Sequence, residues 1–360
     1  MLRIGLLGYG TVGRSVADLL AADGRGMEVR RILRRPGKAA GPLMTDRPEE
    51  ILGDPQIDVV VDVLPGREPS HELMRAALLA GKHVVTANKA ALAANYAELT
   101  TLARERGRAL LFEASCGGGI PWIESIKKAA RVDRIISMRG ILNGTGNYII
   151  DRIERFGMEF EDALAEAQRL GYAEADPTAD IGGADVANKA VISVSLALGM
   201  PVERPFPVLG IGRITRSMIE SLHARGRTVR HMMIFRREAR SWCMGVAPVA
   251  LPLGSIEASV RDNFNCATFT GDVVGTLKFY GQGAGGRPTA DAILQDLADI
   301  RDGLARPVPE FSGEELLWDP GLLAGEGLLG DGSILHGRTL EELALEAERR
   351  NAFLAFSPDR

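Results

Sequence analysis

Three glycines near the start of the chain, Gly8, Gly10 and Gly13, follow the spacing Gly-x-Gly-x-x-Gly. The apolar run Leu2–Leu7 before them predicts a strand, and the periodicity of Thr11–Ala22 after them predicts a helix. In that setting the first glycine allows a tight turn, the second lets a ligand approach the backbone, and the third lets the helix pack on the strand. The alternative interpretation is an ordinary glycine-rich turn.

The start of the predicted helix indicates the class of ligand. Backbone N–H groups at a helix N-terminus attract phosphates, so Thr11 and Val12 are expected to lie with the glycines against a pyrophosphate. We therefore predict a dinucleotide site formed by Gly8, Gly10, Thr11, Val12 and Gly13.

Strand and helix patterns continue to alternate over the first third of the chain. The predicted elements are Val29–Leu33, Ile57–Leu64, Ser70–Ala80, His83–Thr86 and Ala109–Phe112. Strands separated by helical patterns form βαβ units and a parallel sheet. We expect an α/β protein whose residues 1–120 form an N-terminal Rossmann-type dinucleotide-binding domain, completed by a helix at about 285–305.

The pattern changes after about residue 120. The predicted elements there include Arg134–Leu142, Gly146–Arg155, Ala184–Leu198, Val229–Phe235 and Ser241–Leu251. This mixture predicts a second, α+β domain at 121–285 with antiparallel strand pairing. Residues 306–360 are expected to be a C-terminal extension of unknown role, irregular except for a charged helix near Leu340–Arg350.

Composition argues against several kinds of partner. The 360 residues carry a net charge of −4, which gives no reason to expect nucleic acid or an anionic membrane as a partner. The three cysteines include no Cys-x-x-Cys pair, which favours a reducing compartment. Because no apolar run reaches the roughly 18 residues of a membrane helix, we expect a cytoplasmic protein.

The end of the second predicted strand carries arginines where an acid would hold a ribose 2′-hydroxyl. Arg34 and Arg35 follow Leu33 at this point. Guanidinium groups suit a 2′-phosphate, so the sequence favours NADP over NAD, with NAD possible. A solvated basic loop is the alternative.

Four carboxylates, Glu174, Asp176, Asp180 and Asp185, fall within twelve residues and are followed by Lys189. Asp185 and Lys189 are four residues apart on a predicted helix and so share one face. The helix continues as an almost wholly apolar run, which predicts that it is buried. The stretch is therefore either a polar pocket for a charged small molecule or a solvated loop with a surface ion pair.

Several motifs together resemble those of homoserine dehydrogenases. They are the opening glycine motif, GKHVVTANK at 81–89, FEASCGGGIP at 112–121, GILNGTGNY at 140–148, and the stretch 271–299 that contains GQGAGGRPTADAILQDL. The resemblance covers about residues 1–200 and 245–300. It implies a Rossmann-type cofactor domain, a catalytic α+β domain and a dimer-forming sheet. It also implies interconversion of L-homoserine and L-aspartate 4-semialdehyde with NAD(P)H, on the route to threonine and methionine.

The resemblance assigns roles to two lysines. Lys189 matches the lysine that gives a proton to the developing alkoxide when the aldehyde is reduced, with Asp185 beside it in the catalytic group. Lys89, just past a predicted strand end, matches a lysine near both cofactor and substrate. The alternative for Lys89 is a solvated residue at a helix start.

The resemblance also gives the acids a task, because the substrate carries an α-ammonium group. Glu174 and Asp185 are the expected contacts, with Asp180 close by, while Asp176 precedes Pro177 and is expected to make an Asx turn. The further residues that match the substrate and nicotinamide pocket are Tyr172, Gly144 and Thr145.

Two more glycine-rich stretches match ligand-binding segments of the family. Gly285, in the cluster before a proline-led helix, is expected to let backbone approach the nicotinamide, unless the cluster is a plain connecting loop. The second stretch matches a monovalent-cation site of the family, with sodium as the expected ion, built from a carboxylate and backbone carbonyls. Its residues are Glu113, Cys116, Gly118 and Ile120. A glycine-rich turn is the alternative.

The chain departs from the family in places. Gly146 stands where threonine or a similar residue is common, and the C-terminal part lacks the βαββαβ pattern of the regulatory ACT module. A homodimer is expected by resemblance. Two other functions stay open: a related NADP-dependent oxidoreductase for another amino-acid alcohol or aldehyde, and a non-catalytic NADP-binding regulator.

Overall fold

A computed structural model describes residues 1–305, 308, 310–311 and 313–358. Six residues of the expected C-terminal extension (306, 307, 309, 312, 359 and 360) lie outside the described residues. The chain divides into two compact units. The first contains Met1–Ser125, Gly199–Pro201 and Ala284–Ser312, and the second contains Ile126–Leu198, Val202–Gly283 and Gly313–Arg360.

The strands and helices are numbered in chain order. The strands are Leu2–Leu7 (β1), Met27–Leu33 (β2), Met44–Thr45 (β3), Val59–Asp62 (β4), His83–Thr86 (β5), Leu110–Leu111 (β6), Ile135–Ile141 (β7), Arg227–Glu238 (β8), Ser241–Pro252 (β9), Phe264–Gly271 (β10), Gly275–Gln282 (β11), Leu317–Trp318 (β12), Ala324–Leu329 (β13), Ile334–Thr339 (β14) and Leu354–Pro358 (β15). The α-helices are Thr11–Ala22 (α1), Glu49–Leu52 (α2), Ser70–Leu79 (α3), Lys89–Ala94 (α4), Tyr96–Glu105 (α5), Trp122–Ala129 (α6), Gly144–Phe156 (α7), Phe160–Arg169 (α8), Thr178–Ile181 (α9), Ala184–Leu198 (α10), Arg216–His223 (α11), Gly286–Arg301 (α12) and Leu340–Arg349 (α13).

The first unit is built on a parallel sheet with the strand order β3-β2-β1-β4-β5-β6. The order reverses between β1 and β4, which is the switch point where doubly wound sheets bind ligands. Val59, Val60 and Val61 of β4 are fully buried, as expected for a parallel strand covered on both faces. The predicted α/β class with a Rossmann-type N-terminal part is confirmed.

Helix α12 belongs to this first unit although it follows the second unit in the chain. It packs beside α1 so closely that a Cβ on Gly286 would lie 2.7 Å from Ser15 Oγ. Its buried face, including Ile293 and Leu297, adds to the core around β1 and β4. The two helices that start nearest the glycine motif are therefore held together.

The second unit contains a mixed nine-stranded sheet with the path β11-β10-β7-β8-β9-β15-β13-β14, and β12 pairs with β9. The pairs β8–β9, β7–β8, β7–β10 and β10–β11 are antiparallel, as the sequence predicts for the α+β part. The starts of α7 and α10, which carry most of the candidate substrate residues, belong to this unit.

The expectation of an irregular C-terminal part is wrong for the residues that the structure describes. Strand β15 pairs in parallel with β9 and antiparallel with β13, so the segment extends the sheet of the second unit. Phe356 and Leu343 are fully buried there. The strands are short and glycine-rich, and part of their pairing is with a strand about 100 residues earlier, which a local sequence pattern does not reveal.

Within the described part of the chain, no helix is long and apolar enough to cross a membrane.

Candidate active site

The glycine motif makes the turn from β1 into α1. Gly8 has φ +107°, which favours glycine, and a Cβ on Gly13 would lie only 2.3 Å from the Gly8 carbonyl oxygen. A Cβ on Gly10 would meet no atom within 4 Å, so this backbone faces a space that a ligand can approach. The three glycines thus have the conformations that the spacing predicts: a tight turn at Gly8, open backbone at Gly10 and close packing at Gly13.

The first turn of α1 offers backbone donors. Its N-cap is Gly10, which supplies no side-chain hydrogen bond, and the turn contains no acidic residue. Thr11 is exposed and Val12 is half-buried at this end. A helix start without its own acid suits a phosphate.

Two arginines contact one aromatic ring beside the motif. The guanidinium carbons of Arg34 and Arg14 lie 5.4 Å and 5.7 Å from the ring centroid of Tyr9. Neither arginine forms an ion pair in the part of the chain that the structure describes. Arg35 is exposed. The sequence predicts Arg34 here but gives no sign of Tyr9 or Arg14, because their contact depends on the fold.

A buried hydrogen-bond network joins the ends of β4 and β5. The Asp62 carboxylate accepts hydrogen bonds from Ser70 Oγ at 2.5 Å and Thr86 Oγ1 at 2.9 Å. Burial raises the pKa of Asp62. Asn88 caps α4 through its Oδ1 and donates to the carbonyls of Leu64 and Gly66. The network fixes the position of half-buried Lys89, the first residue of α4.

The glycine cluster before α12 lies beside the same unit's α1. Gly285 is the N-cap of α12 with φ +125°, a conformation that L side chains rarely adopt. The geometry therefore requires a glycine at this helix start.

The Glu113 carboxylate caps a helix. Its two oxygens accept the backbone N–H groups of Ile123 at 3.0 Å and Glu124 at 2.7 Å, in the first turn of α6. Gly118 has φ +60° in the turn between them, and Cys116 and Ile120 are buried. This capping interaction was not predicted from the sequence.

Lys189 and Asp185 form a buried ion pair in the second unit. The distance from Lys189 Nζ to Asp185 Oδ2 is 2.7 Å, and Nζ also donates to the Leu142 carbonyl at 2.6 Å. The residues are 8% and 7% exposed, which rules out the alternative of a surface ion pair. Leu142 directly follows β7, and the sequence did not indicate that its carbonyl would be a partner of Lys189.

Asn143 joins the acids that lie on two different helices. Its Nδ2 donates to Asp180 Oδ1 at 2.7 Å and to Asp185 Oδ2 at 2.9 Å. Its Oδ1 accepts the Gly146 N–H and so caps α7. In the sequence, Asn143 stands out only as part of the motif GILNGTGNY. One side chain therefore holds the start of α7, α9 and α10 together.

The remaining candidates lie around the start of α7. Thr145 Oγ1 donates to the Tyr172 carbonyl at 2.6 Å, and a Cβ on Gly144 would lie 2.7 Å from the Asn263 carbonyl. Glu174 is exposed and forms no ion pair with any residue that the structure describes. The Glu174 carboxylate is therefore in contact with solvent, and it lies two residues after Tyr172 in the chain.

Asp176 is a turn residue. Its Oδ1 accepts from the Thr178 backbone N–H at 3.1 Å and from the Thr178 hydroxyl at 2.5 Å. The Thr178 hydroxyl lowers the pKa of Asp176. The predicted Asx turn is confirmed.

These features define a class of protein. A parallel sheet with a glycine motif at its switch point binds dinucleotides. A buried lysine paired with a carboxylate can move a proton. Together they are the components of a nicotinamide-dependent dehydrogenase.

Comparison with known proteins identifies the family. Residues 8–113 match the model for the homoserine dehydrogenase NAD-binding domain, and residues 121–298 match the homoserine dehydrogenase model. The homoserine dehydrogenase of Pseudomonas aeruginosa is 37% identical over 341 residues, covering 91% of this chain and 78% of that protein. This chain belongs to the homoserine dehydrogenase family.

Solved structures of homoserine dehydrogenases are also similar to this chain. The crystal structure of a homoserine dehydrogenase from Thiobacillus denitrificans has a TM-score of 0.88 at 31% identity, covering 99% of this chain and 98% of that chain. A hyperthermophilic archaeal homoserine dehydrogenase in complex with NADPH has a TM-score of 0.74 at 27% identity, covering 86% and 99%. The first match includes the C-terminal strands that the family models do not cover.

Proposed function

We propose that this chain interconverts L-homoserine and L-aspartate 4-semialdehyde with NAD(P), using Lys189 as the general acid and base. The observation that carries the proposal is the buried pair of Lys189 and Asp185, with 2.7 Å between Nζ and Oδ2. Burying a lysine costs free energy even when it is paired, so its retention inside the unit calls for a function.

The proton step belongs to Lys189. In oxidation the substrate O–H gives its proton to the neutral amine of Lys189 while the C–H hydride leaves the same carbon, which becomes a carbonyl. The nicotinamide, when bound, supplies the hydride acceptor. In reduction the Lys189 ammonium stabilises the developing alkoxide and donates the proton, a role typically worth about 10²–10⁴-fold.

The acids hold the substrate's ammonium group in this proposal. Exposed Glu174 and the Asp180–Asp185 pair, which Asn143 holds at 2.7 and 2.9 Å, provide carboxylates for a small cation. Tyr172, Thr145 and Gly144 are the further residues proposed to line the substrate pocket. Asp185 has a second task, since it also orients Lys189.

For the cofactor we propose a preference for NADP. Its phosphates would bind the backbone at Gly8, Gly10, Thr11, Val12 and Gly13, and Arg34 and Arg35 would bind the 2′-phosphate. The remaining proposed cofactor contacts are Lys89, Gly144 and Gly285. Supporting this, Arg34 stacks on Tyr9 beside the motif without an ion pair in the described chain. Replacing it by glutamine (R34Q) should raise the KM for NADP about tenfold or more and leave the KM for NAD nearly unchanged.

We also propose a sodium site at Glu113 and the carbonyls of Cys116, Gly118 and Ile120. A carboxylate that accepts two N–H bonds keeps further lone pairs, so the donor set suits a hard cation. Sodium titration should raise thermal stability more than potassium does, and the E113Q variant should lose that difference.

We further propose a homodimer formed through the 121–285 region. Exposed apolar side chains lie in the turn of its β10–β11 hairpin, at Val273 and Val274, and on the edge strand β11, at Leu277 and Tyr280. Exposed apolar edges tend to be covered by a partner. Light scattering should give twice the chain mass, and L277E should shift it towards the monomer.

The activity is tested by following NADPH formation at 340 nm with L-homoserine and then with a panel of amino alcohols and hydroxy acids. We expect the highest kcat/KM with homoserine. A higher kcat/KM with another alcohol would favour a related oxidoreductase instead. Cofactor binding without turnover on any member of the panel would favour a non-catalytic regulator.

A further inference from the structure

His231 lies inside the second unit, on β8, and is 2% exposed. Its Nε2 lies 2.9 Å from the Leu209 carbonyl oxygen. A carbonyl can only accept, so Nε2 carries the proton and Nδ1 is left as an acceptor. Nδ1 has no hydrogen-bond partner among the described residues, so the bond from Nε2 to Leu209 is the hydrogen bond that orients the ring.

The imidazole ring fits between the starts of two helices. A Cβ on Gly183 would lie 3.3 Å from both Cε1 and Nε2 of His231, and a Cβ on Gly146 would lie 3.9 Å from Nδ1. Gly183 has φ +92°, and its carbonyl accepts the Ala187 N–H in the first turn of α10. Gly146 lies in the first turn of α7. The ring therefore packs tightly against Gly183, whose φ favours glycine, and lies within van der Waals contact of the position a Cβ would take at Gly146.

The Leu209 carbonyl ties His231 to the third helix of the site. Leu209 N–H bonds to the Val246 carbonyl at 2.8 Å, and Ile211 N–H bonds to the Ile181 carbonyl at 2.8 Å. Ile181 is the last residue of α9, which carries Asp180. His231 thus connects β8 to the segment that supports α9.

We propose that His231 is a positioning residue: through its bond to Leu209 and its packing against Gly183, it fixes the starts of α7, α9 and α10. Those starts carry Asn143, Asp180, Asp185 and, one turn later, Lys189. The effect on catalysis rests on the proposed function, whereas the effect on the helix starts does not.

His231 acts as a neutral ring. Burial lowers the pKa of His231 to about 4, although the Leu209 carbonyl and the Asp185 carboxylate both act to raise it. The ring is therefore uncharged at neutral pH and serves as a donor of fixed geometry.

Three variants separate the effect of the hydrogen bond to Leu209 from the effect of the imidazole ring itself. In H231Q the amide nitrogen can take the place of Nε2 and donate to Leu209. In H231N the amide reaches only the place of Nδ1, and H231L has neither group. Two measurements are made on the full chain: amide hydrogen exchange in residues 144–148 and 184–189, and steady-state kinetics with homoserine and NADP.

We expect H231Q to keep wild-type exchange and a kcat within about threefold of wild type. H231L and H231N should exchange faster in both segments and lose about ten- to a hundredfold in kcat, as small misplacements do. The Kd for NADP should change less than twofold. If H231L does not fold, the amide exchange and kcat of H231Q and H231N are compared with each other to test the proposal.

The inference is overturned if H231L has the amide exchange rates and the kcat of the wild type. It is also overturned if H231N keeps wild-type exchange and kcat while H231Q loses them. Absence of homoserine turnover in the wild type would refute the proposed function alone, because the exchange data still test whether His231 fixes the helix starts.

Discussion

At the scale of the residue, the site depends on how a few buried charges are satisfied. Lys189 is 8% exposed and has both a carboxylate and a carbonyl oxygen as acceptors. Removing one member of such a pair leaves the other charge buried, which costs about 3–5 kcal/mol. Asp185 is therefore expected to affect folding as well as turnover, and Glu174 is the better test of substrate binding because it is exposed.

Replacing Glu174 by glutamine removes a charge without changing the shape of the side chain. We expect E174Q to raise the KM for homoserine about tenfold while the KM for NADP stays within about twofold, since a charge-assisted bond to an ammonium is worth about 1.5–3 kcal/mol. Steady-state kinetics with each substrate varied in turn measures both constants.

The matched control is D176N, two residues away. The Asn Oδ1 can still accept from Thr178, so both KM values should stay near those of the wild type. Equal effects of E174Q and D176N on the KM for homoserine would refute the assignment of Glu174.

The sequence was informative at this scale only where partners are close along the chain. The i,i+4 spacing and the apolar helix that follows predict a buried Asp185–Lys189 pair, and the structure contains it. Asn143 and His231 were not assigned, because Asn143 acts on acids 37 and 42 positions away and His231 bonds to Leu209, 22 positions away. Contacts of that kind depend on the fold and leave no local pattern.

At the scale of the element, a buried carboxylate links α7 to β8. Glu154 accepts hydrogen bonds from Arg230, His223 and Thr228. Burial alone would raise the pKa of Glu154, but Arg230 together with these hydrogen bonds outweighs it and lowers the pKa from 4.5 to about 2. The ionised carboxylate therefore holds the helix that carries Thr145 against the sheet.

This shift predicts how stability depends on pH. A lowered folded-state pKa stabilises the fold above about pH 4.5, and the contribution is lost as the pH falls towards 2. At neutral pH it corresponds to up to about 3 kcal/mol. We expect E154Q to lower the free energy of unfolding at pH 7 and to flatten the decline of that free energy between about pH 4.5 and pH 2, measured by urea denaturation.

The control for that experiment is E346Q. Hydrogen bonds from Arg349 and Arg350 also lower the pKa of Glu346 to about 2, but these pairs lie at the surface, where solvent screens them. The free energy of unfolding of E346Q should decline at acid pH as it does in the wild type. If the free energy of unfolding of E154Q declines at acid pH as in the wild type, the role of Glu154 is contradicted.

Elements with a clear local period were predicted well. Leu2–Leu7, Thr11–Ala22, His83–Thr86 and Ala184–Leu198 have the same bounds in the sequence analysis and the structure. Strands β12 to β15 were not predicted, because segments such as AGEGLL and LAFSP contain glycines or proline and lack strand periodicity. Those segments become strands through pairing with distant partners.

At the scale of the whole molecule, the C-terminal segment belongs structurally to the second unit. Strand β15 pairs with β9, and Phe356 is fully buried in the cluster that also contains Ile141 at the end of β7. Leu142, whose carbonyl holds Lys189, follows directly. The segment therefore supports the strand that leads into the site.

Truncating Phe356 tests this role. We expect F356A to lower the free energy of unfolding by about 3–5 kcal/mol, as cavities in cores do. Leu345, on α13, is 67% exposed, so L345A should change the free energy of unfolding by less than about 0.5 kcal/mol. Chemical denaturation measures both, and equal values for the two variants would show that the segment is not part of the core.

The central claim is that Lys189 moves the proton in homoserine oxidation by this chain. The direct measurement is the initial rate of NADPH formation with saturating L-homoserine and NADP, for the wild type, K189A and the exposed-lysine control K128A. We predict wild-type rates for K128A and a loss of about 10²-fold or more in kcat for K189A, with NADP still bound. A K189A enzyme that binds NADP and turns over within about threefold of the wild type would contradict the account.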